Sequence, residues 1–145
     1  MAFSRARVIA ALSVPVTAAT LLVAAPSASA AAGASCDASA GTGCLRLYYN
    51  SNRQGSSTYF YGSNVSNFAS YTFLTSGAGK GVTVKNNAAS AINDANSSTT
   101  IFYNSNYGGA CDTLTFYAIA DQLRNTYNNN ASFKFDTSGS SCYKF

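Results

Sequence analysis

A nine-residue segment of this chain recurs in altered form. Leu47-Tyr-Tyr-Asn-Ser-Asn-Arg-Gln-Gly55 and Ile101-Phe-Tyr-Asn-Ser-Asn-Tyr-Gly-Gly109 agree at five of nine positions and lie 54 residues apart. Each runs from an aliphatic-aromatic stretch into Asn-Ser-Asn and closes on Gly. Asn tolerates left-handed backbone and bonds its own main chain, while Gly takes positive φ without steric cost, so each copy predicts a turn between strands. A second strand-like run follows each: Ser57–Tyr61 after the first and Cys111–Phe116 after the second. Two hairpins are therefore expected. A further repeat comes later, Asn86-Asn87-Ala88-Ala89-Ser90 and Asn128-Asn129-Asn130-Ala131-Ser132. Each leads into another strand, the second alternating as Phe133-Lys134-Phe135-Asp136. Two units of four short strands joined by Gly-rich turns predict a small all-β sandwich, with a closed barrel as the alternative.

The copies differ in length. Asn50 to Asn86 is 36 residues and Asn104 to Asn128 is 24, so the first copy carries twelve extra residues. The stretch that reads as inserted includes Thr75-Ser-Gly-Ala-Gly-Lys-Gly81. In the second copy the same interval holds Tyr117–Leu123, which reads as a short helical turn.

Residues 1–30 are a different kind of sequence. Arg5 and Arg7 precede an apolar run from Val8 to Ala25, and Ala28-Ser29-Ala30 supplies small residues at the exit, the layout of a secretory signal peptide. Polar breaks at Ser13, Thr17 and Thr20 argue against a retained membrane span. Removing this segment leaves a chain without Pro, Met, His, Trp or Glu, with seven basic groups against five Asp, a formal charge of +2. That balance is too mild for a nucleic-acid partner, which needs a clustered basic surface. Eighteen aromatics in the remaining 115 residues suffice for a core. All four cysteines lie in this part, an even number in an exported chain, which points to two disulfides. Of the three possible pairings, Cys36–Cys44 and Cys111–Cys142 are preferred. Zinc is disfavoured, since no CxxC pair exists and no His can help.

Phe102, Tyr107 and Gly109, followed later by an Asn-Asn-x-x-Ser run, resemble the βγ-crystallin Greek-key motif. The wider layout of signal peptide, early Cys pair, hairpin, Gly79–Ser90 and second hairpin resembles secreted actinobacterial metalloproteinase inhibitors of that fold, over nearly all of residues 36–145. The resemblance implies one disulfide-stapled βγ-crystallin-like sandwich over 44–145. Greek key 1 would span about 44–94 and Greek key 2 about 99–145, after an N-terminal segment, 31–43, with a short disulfide loop. It also implies possible weak calcium binding, with Asn86, Asn87 and Ser90 at one site and Asn128, Asn129 and Ser132 at the other. These are neutral ligands, and calcium affinity rises with ligand charge. The favoured alternative is structural: Ser90 and Ser132 bond to the folded turns and hold Asn50 and Asn104. Two departures stand out. Arg53 occupies the place of the second turn aromatic in copy one, and the final Ser of the calcium pattern is Ala91 in one copy and Phe133 in the other.

Catalysis finds little support. Without His, acid–base work falls to Asp37, Asp94, Asp112, Asp121 or Asp136, or to Lys or Tyr, and nothing brings two Asp together. No GxSxG, Cys–His pair or HExxH is present. Asp94 reads as a turn residue and Asp121 as the polar face of a helix. Gly77–Gly81 lacks phosphate-loop spacing. Tyr48, Tyr49, Tyr59, Phe60 and Tyr61 read as core or sheet-face residues, with carbohydrate binding by an exposed subset as a minor alternative. The resemblance instead implies a secreted, monomeric inhibitor that offers a rigid loop to a protease, most naturally a metalloprotease. Two segments compete for that role: Ser76, Gly77, Gly79, Lys80, Gly81 and Val82, or the turn of Tyr107 with Cys111 and Asp112. An apolar residue just after the scissile bond favours Gly81–Val82 over Cys111–Asp112.

Overall fold

A computed structural model describes residues 31–37 and 43–145. The expected signal peptide, 1–30, and the interior of the Cys36–Cys44 loop lie outside the described residues.

Nine short strands form among the described residues, the longer ones with inward aliphatic side chains. They are β1 (Ala31–Gly33), β2 (Cys44–Tyr48), β3 (Ser57–Tyr61), β4 (Ser90–Asn93), β5 (Thr99–Asn104), β6 (Gly108–Leu114), β7 (Ile119–Ala120), β8 (Ser132–Phe135) and β9 (Tyr143–Lys144). One sheet has the order β1-β3-β2-β4-β7 and the other β8-β5-β6-β9. The predicted hairpins are β2–β3 and β5–β6, both antiparallel. Their turns place Asn52 and Arg53 in one copy, and Asn106 and Tyr107 in the other, at positive φ between 58° and 66°. The repeated Asn-Ser-Asn thus encodes the same left-handed step twice.

Third strands cross between the motifs. β7, from the second copy, pairs with β4 of the first, while Val65 of the first bridges Phe133 in β8 of the second. The hairpin turns follow the same exchange: Asn52 N donates to Asp121 O at 2.6 Å and Asn106 N to Ser66 O at 2.8 Å. Tyr117–Leu123 is not helical. β7 occupies it, because the open edge of β4 supplies backbone partners that an isolated turn of helix lacks. Asp121 accordingly sits on no helix and pairs with Arg53.

Leu45, Leu47, Phe60, Phe68, Phe73, Val84, Ile101, Leu114, Leu123 and Phe133 fill the space between the sheets, each at most 1% exposed. Phe60, Phe68 and Phe133 form an aromatic centre with ring centroids 5.1–5.8 Å apart, drawn from both motifs. Disulfides join Cys36 to Cys44 and Cys111 to Cys142, the preferred pairing. The expected N-terminal segment begins as strand β1 on the edge of the first sheet. The C-terminal segment joins the edge of the second sheet, where β9 runs parallel to β6, and Thr100 Oγ1 donates to Thr137 O.

Candidate functional site

Three glycines shape the longer loop of the first motif. Gly77, Gly79 and Gly81 have φ of 129°, 85° and 82°. Lys80 N donates to Gly77 O and Val82 N to Gly79 O, closing two successive turns. The base is tied by Phe73 N to Val82 O and Gly81 N to Phe73 O, both 2.9 Å. On the other side Ser56 N donates to Ala78 O and Ser57 N to Thr75 Oγ1, each 2.8 Å. Gly79 lies flat on the Tyr49 ring, where a Cβ would overlap the ring atoms. Ser76, Gly77, Lys80 and Gly81 are exposed at the tip, whereas Val82 is half-buried and packs on the core. The large apolar side chain exposed beside the loop is Leu74.

The second candidate turn is built differently. Tyr107 lies in the turn, T-shaped against Phe102 with Lys134 over its ring at 4.4 Å. Cys111 and Asp112 belong to β6 and are buried, at 5% and 0% exposure. Neither can be offered to a peptidase cleft, which corrects that part of the expectation. The Asp112 carboxylate instead accepts from Arg124 N, Asn125 N, Thr126 N and Thr126 Oγ1 at 2.7–3.1 Å. A buried carboxylate is tolerated when its lone pairs are so satisfied.

The candidate calcium residues meet across the pseudo-symmetric centre. Ser90 Oγ donates to Asn50 O at 2.6 Å and accepts from Arg53 N at 3.0 Å. Ser132 Oγ donates to Asn104 O at 2.7 Å and accepts from Tyr107 N at 3.0 Å. Both hydroxyls therefore clamp the turns, the structural alternative. Asn86 N donates to Asn130 O and Asn128 N to Ala88 O, so the two Asn runs pair with each other. Asn86 and Asn128 adopt φ of 62° and 51°. Asn87 and Asn129 turn their amides back onto Lys85 O and Tyr127 O. Asn50, Asn86, Asn87 and Asn128, with Tyr49 and Tyr127, line a cleft of about 190 Å³. Its oxygens are neutral. Among the described residues no three His, Cys, Asp or Glu gather into a metal-holding group.

Two arrangements escaped the sequence reading. The first is the Asp112 anchor, whose partners lie 12–14 residues away without any local signature. The second is Arg46, held between Tyr48 and Tyr59 at 4.5 and 4.6 Å from the ring centroids on the outer face of the first sheet. Burial raises the Tyr48 phenol above its ordinary pKa, against the opposing pull of Arg46.

Comparison with known proteins decides what the sandwich serves. The model of peptidase inhibitor family I36 matches residues 29–114, from before β1 to the end of β6. The chain belongs to this inhibitor family. Inhibitor-family membership makes it a non-enzymatic protein whose partner is a peptidase. The match takes in the glycine loop, both hairpins and the first Asn run, and ends before the Arg124–Phe145 region. The inhibitor also shares its fold with a solved structure from work on the evolution of the eye lens βγ-crystallin domain. The two are 22% identical with a TM-score of 0.56, over 77% of this chain and 100% of the other. No curated protein matches the inhibitor in sequence.

Proposed function

We propose that this chain is a secreted inhibitor of metallopeptidases that offers the Ser76–Val82 loop to the enzyme cleft. The observation that carries the reading is the loop's backbone: three left-handed glycines, two closed turns and a base bonded to β3 and Phe73. A loop already ordered loses little conformational freedom on docking. Cleavage requires local opening, and two disulfides restrict the opened ensemble, so such a loop is bound more readily than cut. Lys80 and Leu74 are the exposed side chains that would meet the enzyme, in place of Val82. Export is supported by the layout of residues 1–30 and by the disulfides.

The test is a peptidase panel containing a thermolysin-like metallopeptidase and trypsin- and subtilisin-like serine peptidases. The purified protein is expected to inhibit the metallopeptidase at near-stoichiometric ratio, and Lys80→Asp with Leu74→Ala to weaken inhibition without lowering the melting temperature. Inhibition of the serine peptidases alone would overturn the metallopeptidase assignment. Inhibition untouched by the double variant would move the contact off this loop. The same panel run with millimolar calcium addresses a second reading, a weak calcium site in the cleft that gathers Asn50, Asn86, Asn87 and Asn128. A rise in melting temperature with calcium would support it by linkage.

A further inference from the structure

A second surface feature lies away from the glycine loop. Gln122, Leu123, Arg124, Tyr127, Tyr143 and Phe145 line an open cleft of about 400 Å³. Tyr127 also forms a wall of the asparagine cleft, so the two hollows share one ring. The result is a strip running from Tyr49 across Asn86 and Asn128 to Tyr127, Arg124 and Tyr143. Tyr127 and Tyr143 are each 38% exposed, and Phe145 packs T-shaped against Tyr143. No Asp or Glu lines either hollow, and Arg124 is the one charged side chain in their linings, stacked 4.7 Å from the Tyr143 ring centroid.

The strip is held from beneath. Asp112 fixes the backbone of Arg124, Asn125 and Thr126, placing Arg124 and Tyr127. Leu123 N donates to Ala89 O, and Asn130 Nδ2 donates to Thr126 O, pinning both ends of the loop. Tyr143 pairs in register with Asp112 itself and follows Cys142, which is bridged to Cys111. Strand β6 thus positions both sides of the cleft, through a carboxylate, a disulfide and a ladder. Such support keeps aromatic faces exposed in fixed positions, where an unsupported Tyr would fold back onto the surface.

We propose that this strip binds a neutral glycan chain. Sugar rings present an apolar C–H face that stacks on tyrosine and an edge of hydroxyls that both donate and accept. Tyr127 and Tyr143 supply exposed ring surface, while Tyr49, packed under Gly79 and against Phe73, walls the far end. The Asn50, Asn86, Asn87, Asn128 and Gln122 amides supply paired donors and acceptors, and Arg124 supplies further donors. No acidic side chain lines either hollow to hold a basic ligand. An anionic ligand finds only one cation, already stacked.

Isothermal titration of the purified protein with cellohexaose and chitohexaose tests the assignment, with heparin as a polyanion control. Saturable binding of at least one neutral oligosaccharide, unchanged by added salt, is expected. Tyr127→Ala should weaken it about tenfold, one stacked ring's worth. Arg124→Gln is a second variant that leaves the Asp112 bonds intact, since those come from backbone. Phe116→Ala, at an exposed aromatic outside the strip, should leave affinity unchanged. Absence of binding to both neutral oligosaccharides would overturn the proposal. So would heparin binding alone that vanishes with salt, or affinity indifferent to both Tyr127→Ala and Arg124→Gln. Peptidase inhibition is read separately, so either function can fail without the other.

Discussion

Asp112 ties the Arg124–Tyr127 loop of the second motif to strand β6. Its carboxylate, wholly buried, accepts from four donors of the loop that bears Arg124 and Tyr127. Asp112→Ala would strand those donors inside the protein and is expected to cost about 3 kcal/mol, read as a lowered urea midpoint. Asp112→Asn, which keeps one acceptor oxygen, should lose less. An unchanged midpoint in the Ala variant would remove the anchor from the account. The sequence could not signal this role: an Asp beside a Cys looks like any exposed turn residue, and its partners come from a separate loop. Ser90 and Ser132 were legible, because they recur at the same place after the two Asn runs and so invite the same structural explanation. Their shared clamp on Asn50 and Asn104 is the outcome.

At the scale of elements, legibility followed local chemistry. The β2–β3 and β5–β6 hairpins announced themselves through Asn, Gly and alternation, and Ser57–Tyr61 matches β3 in full. β7 has two residues and its copy-one counterpart is a single bridge at Val65, so neither has enough alternation to read. Their strand character comes from the edge they join. Arg53, standing where Tyr107 stands in copy two, forms no ring stack and instead bonds Asp121 at 2.9 Å. That exposed pair is worth at most about 1 kcal/mol. The disulfides offer a sharper contrast, with sequence separations of 8 and 31. Loop-closure entropy alone makes Cys111–Cys142 the stronger staple by about 1 kcal/mol. Replacing that pair by Ser should therefore lower the denaturation midpoint more than replacing Cys36 and Cys44. A reversed order, measured by the same denaturant titration, would show that native packing outweighs chain entropy. Because Cys142 also holds Tyr143 beside the glycan strip, the Cys111–Cys142 variant should lose oligosaccharide affinity as well.

Across the whole molecule, neither Greek key completes a sheet alone. β4 takes its outer neighbour from the second copy, β8 is bridged by the first, and the Phe60–Phe68–Phe133 centre mixes both. Calorimetric unfolding should consequently be one transition, with calorimetric and van't Hoff enthalpies equal. Two resolved transitions would mean that the motifs are independent after all. The fold class was readable from the repeat, but this dependence was not, since a tandem repeat is equally compatible with two self-sufficient halves.

The crossed third strands have one further consequence. Only the short stretch Asp94–Ser98 separates β4 from β5, and this connection keeps the exchange within one molecule. Every contact between the copies is equally available between the halves of two different chains. A stiffened connection would prevent a chain from closing on itself while keeping most of those contacts, apart from the bonds Ala95 O and Ser98 O accept from Tyr117 N and Thr137 N. The protein would then assemble as a domain-swapped dimer displaying two glycine loops, which is a direct route to a bivalent inhibitor.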